Sequence, residues 1–146
     1  MTIKIGINGL GRIGRMIIRS LIENNNKRIE IKHINSRSNT EVVSSLLMHD
    51  SIHGKFNCKI KYSDKHLTIN GKKITFSQHS NLNEIKWKNF GVDYVLECTG
   101  KFNSKDKLIP HIKNGAKKVI VSAPCKNADK TIVYGVNHKS INKNDL

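Results

Sequence analysis

Ile3-Lys4-Ile5-Gly6-Ile7-Asn8-Gly9-Leu10-Gly11-Arg12-Ile13-Gly14-Arg15 changes its periodicity partway along. Isoleucine alternates with lysine and glycine up to Asn8-Gly9, the pattern of a short strand closing on a turn. From Ile13 the apolar positions recur at three and four residues through Met16, Ile17 and Leu21, with Ile18 and Ile22 widening the stripe. Asn24-Asn25-Asn26 ends it. Ile29 to Ile34, with isoleucine at 29, 31 and 34, reads as the next strand. Strand, glycine turn, helix and strand in that order predict a Rossmann βαβ unit over Thr2 to Ser36.

Each glycine of the turn has its own task in such a unit. Gly9 makes the tight turn, Gly11 lets the backbone approach phosphates, and Gly14 lets the helix lie close to the sheet. The pyrophosphate of a dinucleotide then sits on the free N–H groups at the helix start, where the macrodipole favours negative charge. Glycines at this spacing occur by chance in many loops, so the reading rests on the strand before them and the helix after.

About 20 residues beyond the glycines, such a fold usually carries an Asp or Glu for the adenosine ribose hydroxyls. This chain has Ser36 there, followed by Arg37. Losing the carboxylate removes the repulsion of a 2′-phosphate, and Arg37 offers a guanidinium to one, so NADP stands beside NAD as a candidate cofactor. In the alternative, Arg37 points to solvent and Ser36 still binds the ribose hydroxyls. The residues leave both open.

Further along, Ser38-Asn39-Thr40-Glu41 has capping-box spacing and predicts a helix capped by Ser38 and running to about His49. Between Phe56 and Phe76 short alternating segments surround Asn70-Gly71, which predicts an antiparallel hairpin inserted in the α/β order. Val92 to Cys98 reads as a strand buried on both faces and ended by Thr99-Gly100. Ser104 is placed to cap a helix through Leu108, Ile109 and Ile112, with a kink expected at Pro110. Val119 to Val121 reads as another buried strand, and Thr131 to Tyr134 as a short extended piece. The expected fold is α/β: a Rossmann-type parallel sheet with helices on both faces and an inserted antiparallel hairpin, one domain over residues 1–146.

The net charge of +15 raises the question of an anionic partner. The basic residues are spread along the chain with no block of five or six like charges, which reads as a solvated lysine coat rather than a nucleic-acid face. Cys58, Cys98 and Cys125 are odd in number and contain no C-x-x-C pair, so neither a disulfide framework nor a zinc site is expected, and a reducing cytoplasm is. Cys98 lies in an apolar run and reads as an inert core residue. Cys125 has no histidine at a convincing spacing, so no catalytic residue is assigned. His49, His53, His111 and His138 form no metal spacing and read as surface or packing residues. No apolar run approaches the ~18 residues of a membrane span, and no signal-peptide pattern precedes the first strand.

Five segments, taken together and in order, resemble the phosphorylating glyceraldehyde-3-phosphate dehydrogenases. They are Ile7 to Arg15, Asp50-Ser51-Ile52-His53-Gly54-Lys55-Phe56, Glu97-Cys98-Thr99-Gly100, Gly115 to Pro124, and Gly135-Val136-Asn137-His138. The resemblance implies a cofactor site with Asn8, Gly9, Arg12 and Ile13 around the pyrophosphate and Thr99, Gly100 and Ser122 nearer the nicotinamide. Ser36 takes the position of the family's usual Asp, and Ser80 that of a basic residue near the adenine. It also implies a homotetramer for the full-length protein and a nucleophilic cysteine in a segment expected beyond Leu146. On this reading the catalytic domain is absent from the chain, and the chain alone is inactive. Erythrose-4-phosphate dehydrogenase, a close relative, is the alternative enzyme. A stand-alone module holding a dinucleotide or RNA is the alternative of a different class.

Overall fold

The computed structural model describes residues 2–145; the expectations that touch Met1 and Leu146, the ends of the single expected domain, lie outside the described residues. The opening βαβ unit forms as the periodicity predicts: β1 (Ile3–Asn8), α1 (Arg12–Glu23) and β2 (Ile29–Asn35). β1 alternates its faces. Ile5 and Ile7 enter one apolar cluster with Ile18 of α1, while Gly6 faces Trp87 and Val92 on the other side.

α2 (Thr40–Met48) follows, and its cap differs from the expected one. Asn39, not Ser38, is the N-cap, its side chain accepting the Val42 N–H at 2.9 Å. Both residue types cap well, and the one that precedes the first helical residue with extended backbone takes the role. A small antiparallel pair, β3 (His49–Asp50) and β4 (Gly54–Lys55), then closes a loop held by Arg19, whose guanidinium donates to the carbonyls of His53 and Gly54.

The predicted hairpin is there and is larger than expected. β5 (Ile60–Ser63), β6 (His66–Ile69) and β7 (Lys72–Ser77) form an antiparallel meander. Asn70-Gly71 supplies the tight turn between β6 and β7, both residues at positive φ, 48° and 82°. β7 goes on to pair in parallel with β2, so the meander extends the main sheet. β8 (Tyr94–Glu97), α3 (Lys105–Lys113) and β9 (Lys118–Val121) complete the order β5-β6-β7-β2-β1-β8-β9, parallel from β7 to β9. The helix of α3 runs on past Pro110 to Lys113, and Pro110 O still accepts the Asn114 N–H.

Two expectations fail at this end of the sheet. β9 is an edge strand, half-buried, with Ile120 56% exposed, because among the described residues no strand lies outside it. Thr131 to Tyr134 forms no strand; among the described residues the segment after Ala123 holds an isolated parallel bridge from Lys126 to Ser104 and a 3-10 turn at His138–Ser140.

The sheet is covered on both faces. α1 and α2 cover one, burying Val43, Leu47, Phe56, Leu67, Ile74 and Phe76. The 3-10 turns Leu82–Glu84 and Trp87–Phe90 cover the other with α3, around Ile85, Trp87, Val95 and Ala116. No helix among the described residues is long and apolar enough to cross a membrane.

Candidate functional site

The carboxyl ends of the parallel strands β1, β2, β7, β8 and β9 lie side by side, joined by backbone bonds just beyond the strands. Gly9 N–H donates to Asn35 O (2.8 Å), Ser36 N–H to Ser77 O (3.0 Å), Cys98 N–H to Asn8 O (2.8 Å) and Ser122 N–H to Glu97 O (3.0 Å). This edge is where open α/β sheets bind ligands.

The turn after β1 needs its glycines for stated reasons. Gly9 has φ +94°, and a Cβ there would stand 2.7 to 2.9 Å from the Cγ2, N and Cα atoms of Thr99. The turn and the Thr99 loop are therefore in direct contact. A Cβ on Gly14 would stand 2.2 Å from Gly9 O. Around Gly11, by contrast, a Cβ would meet nothing within 4 Å, so the turn presents bare backbone to open space.

α1 begins at that opening. Its N-cap, Gly11, offers no side chain, and its first turn carries no acidic residue. The first N–H groups of a helix have no partner within it, and here no side chain caps them. A phosphate fits such a terminus.

The sequence-predicted residues gather along this edge. Asn8 and Gly9 are buried in the turn, with Gly11, Arg12 and Ile13 exposed at its mouth. Ile13, expected on the buried stripe of α1, is 50% exposed because it lies at the helix start, clear of the sheet. Ser36 is 7% exposed at the end of β2, and Arg37 is exposed beside it, its carbonyl accepting from Gln78 Nε2. Ser80 is exposed in the loop after β7, Thr99 and Gly100 follow β8, and Ser122 follows β9. Cys98 is buried, and burial pushes its thiol up, in keeping with an inert core role.

Beneath the turn runs a buried polar layer that the sequence reading missed. Glu97 is 1% exposed. Its Oε2 accepts from Asn8 Nδ2 (2.6 Å) and His111 Nε2 (3.0 Å), and its Oε1 from the N–H (2.8 Å) and hydroxyl of Thr99. Burial pushes this carboxyl up, and the hydrogen bonds from His111, Thr99 and Asn8 outweigh that push and hold it below the usual range. The signal was present: a carboxylate inside Tyr94-Val95-Leu96-Glu97-Cys98 is an anomaly for an apolar strand, since buried acids must be paired.

His33, also fully buried, lies against Phe90 with ring centroids 3.6 Å apart and 6° between planes. Its ring nitrogens contact Thr75 Oγ1 (2.7 Å) and Ser77 Oγ (2.8 Å). Burial, and after it the proximity of His79, pushes His33 down to about 3.

The comparisons with known proteins agree with this geometry. Residues 3–105 match the family described as glyceraldehyde 3-phosphate dehydrogenase, NAD binding domain. A glyceraldehyde-3-phosphate dehydrogenase of Cereibacter sphaeroides is 44% identical over 146 residues, all of this chain and 43% of that protein. Glyceraldehyde-3-phosphate dehydrogenase 2 of Bacillus subtilis is 42% identical over 94% of the chain and 40% of its own length. The Geobacillus stearothermophilus enzyme is 40% identical over the same shares. The chain spans less than half the length of these relatives. By sequence and strand order, the chain belongs to the glyceraldehyde 3-phosphate dehydrogenase family and folds as its NAD-binding domain.

Proposed function

We propose that residues 1–146 are the cofactor unit of an enzyme that oxidises and phosphorylates glyceraldehyde 3-phosphate, with the catalytic domain carried by residues outside this chain. The observation that supports it most is the uncapped start of α1, open at Gly11 and in contact through Gly9 with the Thr99 loop. On this reading Asn8, Gly9, Gly11, Arg12 and Ile13 hold the pyrophosphate. Ser36, Arg37 and Ser80 border the adenosine, and Thr99, Gly100 and Ser122 orient the nicotinamide. Bound there, the dinucleotide supplies the hydride acceptor for aldehyde oxidation. The chain's own residues bind and orient it; burial pushes the thiols of Cys58 and Cys98 up, away from the reactive thiolate. A cytoplasmic homotetramer is the setting we propose for the full-length protein, in line with three unpaired cysteines.

NADP is a second cofactor on this reading. Ser36 puts no carboxylate against a 2′-phosphate, and Arg37 is exposed next to it. Titrating the chain with NAD and NADP tests both. Each binds, and Arg37→Glu weakens NADP by about tenfold, the loss of one charge-assisted contact, while NAD stays within about twofold. At least tenfold tighter NAD binding by the parent chain excludes NADP. Failure to bind either, or aldehyde oxidation by the 146-residue chain alone, contradicts the proposal.

A further inference from the structure

Asn8, Asn35 and Glu97 stand at one level of three neighbouring strands, Asn8 being the register partner of Asn35 on β2 and of Glu97 on β8. All three are buried. Their hydrogen bonds admit one arrangement. His79 presents its backbone N–H to Asn35 Oδ1 and its backbone carbonyl to Asn35 Nδ2, both at 2.9 Å. A backbone pair cannot exchange donor for acceptor, so the Asn35 amide has a single orientation. Its Nδ2 then donates to Asn8 Oδ1 (2.8 Å), which leaves Asn8 Nδ2 to donate to Glu97.

The other end is fixed in the same way. Trp87 Nε1–H donates to His111 Nδ1 (2.9 Å), so His111 carries its proton on Nε2 and gives it to Glu97. Thr99 donates twice to the remaining carboxylate oxygen. The row thus ties the backbone of the loop after β7, at His79, to the loop after β8, at Thr99, through the strand that carries the glycine turn.

We propose that the row Asn35–Asn8–Glu97 is a positioning device that holds the loops at the two ends of the dinucleotide crevice in fixed register. The proposal rests on the reading of that crevice given above. A ligand that touches both ends gains from having the second end already in place, whereas a ligand that touches one end does not. The row therefore acts on whole dinucleotides and spares half-ligands.

Glu97→Gln separates these cases. The side chains have the same shape, yet the amide nitrogen meets N–H donors wherever it turns: Asn8 and His111 on one side, Thr99 on the other. Calorimetric titration then shows NAD weakened at least about tenfold while adenosine monophosphate stays within about twofold. Equal weakening of both, or unchanged NAD binding in a folded variant, overturns the proposal.

Should that variant not fold, Asn35→Asp answers the same question. At high pH the new carboxylate turns an oxygen toward Asn8 Oδ1 and the His79 carbonyl, where hydrogens are needed. Protonation restores one. The ratio of NAD to adenosine monophosphate affinity, referred to the parent at each pH because His33 and His79 lie nearby, is low at pH 8 and recovers toward pH 5. A ratio that does not change with pH overturns the proposal. A parent chain that binds neither ligand removes the reading of the crevice itself, and the role of the row with it.

Discussion

A Gly14→Ala chain binds NAD at least about a hundredfold more weakly than its parent, the loss of about two phosphate-binding donors. Alanine inside a helix ordinarily stabilises by about 1 kcal/mol relative to glycine. Here the new Cβ meets Gly9 O at 2.2 Å, and that atom is backbone, unable to swing aside. Overpacking of this kind costs about 1–3 kcal/mol, so the balance reverses and the melting temperature falls by roughly 5 °C. Relief of the clash moves α1 or the turn, and either displacement takes the helix N–H groups away from the phosphates. Gly11→Ala is the counterpart. Its Cβ meets nothing in the folded chain, so stability holds while NAD binding falls, because the methyl group occupies the space the phosphates need. Thermal melts and calorimetric titrations of the two variants check both statements. A Gly14→Ala chain with parental affinity contradicts the assignment of the turn.

The second large effect is acid destabilisation through His33. In the unfolded chain its imidazole takes up a proton near 6.5, and in the folded chain not until about 3. Its contribution is therefore complete above pH 6.5 and is lost as the pH falls from there toward 3. Each pH unit in that window removes at most about 1.4 kcal/mol, so acidification from pH 7 to pH 4 costs about 3 kcal/mol from this group. Glu97, held below the usual carboxylate range, adds loss in the same direction at the acid end. In a His33→Gln chain the fall between pH 7 and pH 4, measured by urea unfolding, is shallower by about that amount. Parallel stability curves for the two chains exclude this role of His33.

The opening βαβ unit was legible because its signals are local. Alternating isoleucines, a glycine turn and a three-four apolar repeat each act within a few residues, and each agrees with the fold around it. Asn70-Gly71 was legible for the same reason, since its positive φ angles are set by the two residues themselves. What escaped depended on neighbours distant in sequence. β9 looks like β8 in composition, and only the sheet order makes it an edge. Choosing between Ser38 and Asn39 as the cap required knowing where the helical backbone begins, a difference of one residue. The polar layer is the clearest case. His33, His111 and Trp87 gain their roles only when β2, α3 and the Trp87–Phe90 turn meet on one face of the sheet. The candidate site residues were named from the glycine spacing and the family resemblance, whereas the places of Asn35 and Glu97, which touch no expected ligand atom, follow only from the strand register.

On the proposed function, the dinucleotide pyrophosphate lies on the backbone at the start of α1. Amide chemical shifts of the chain, followed as NAD is added, test it most directly. The largest shifts are expected at Gly11, Arg12 and Ile13, with further shifts at Ser36, Thr99 and Gly100. Shifts confined to the lysine-bearing surface, or to the edge strand β9 and α3 with the Gly9 to Gly14 amides unmoved, contradict it.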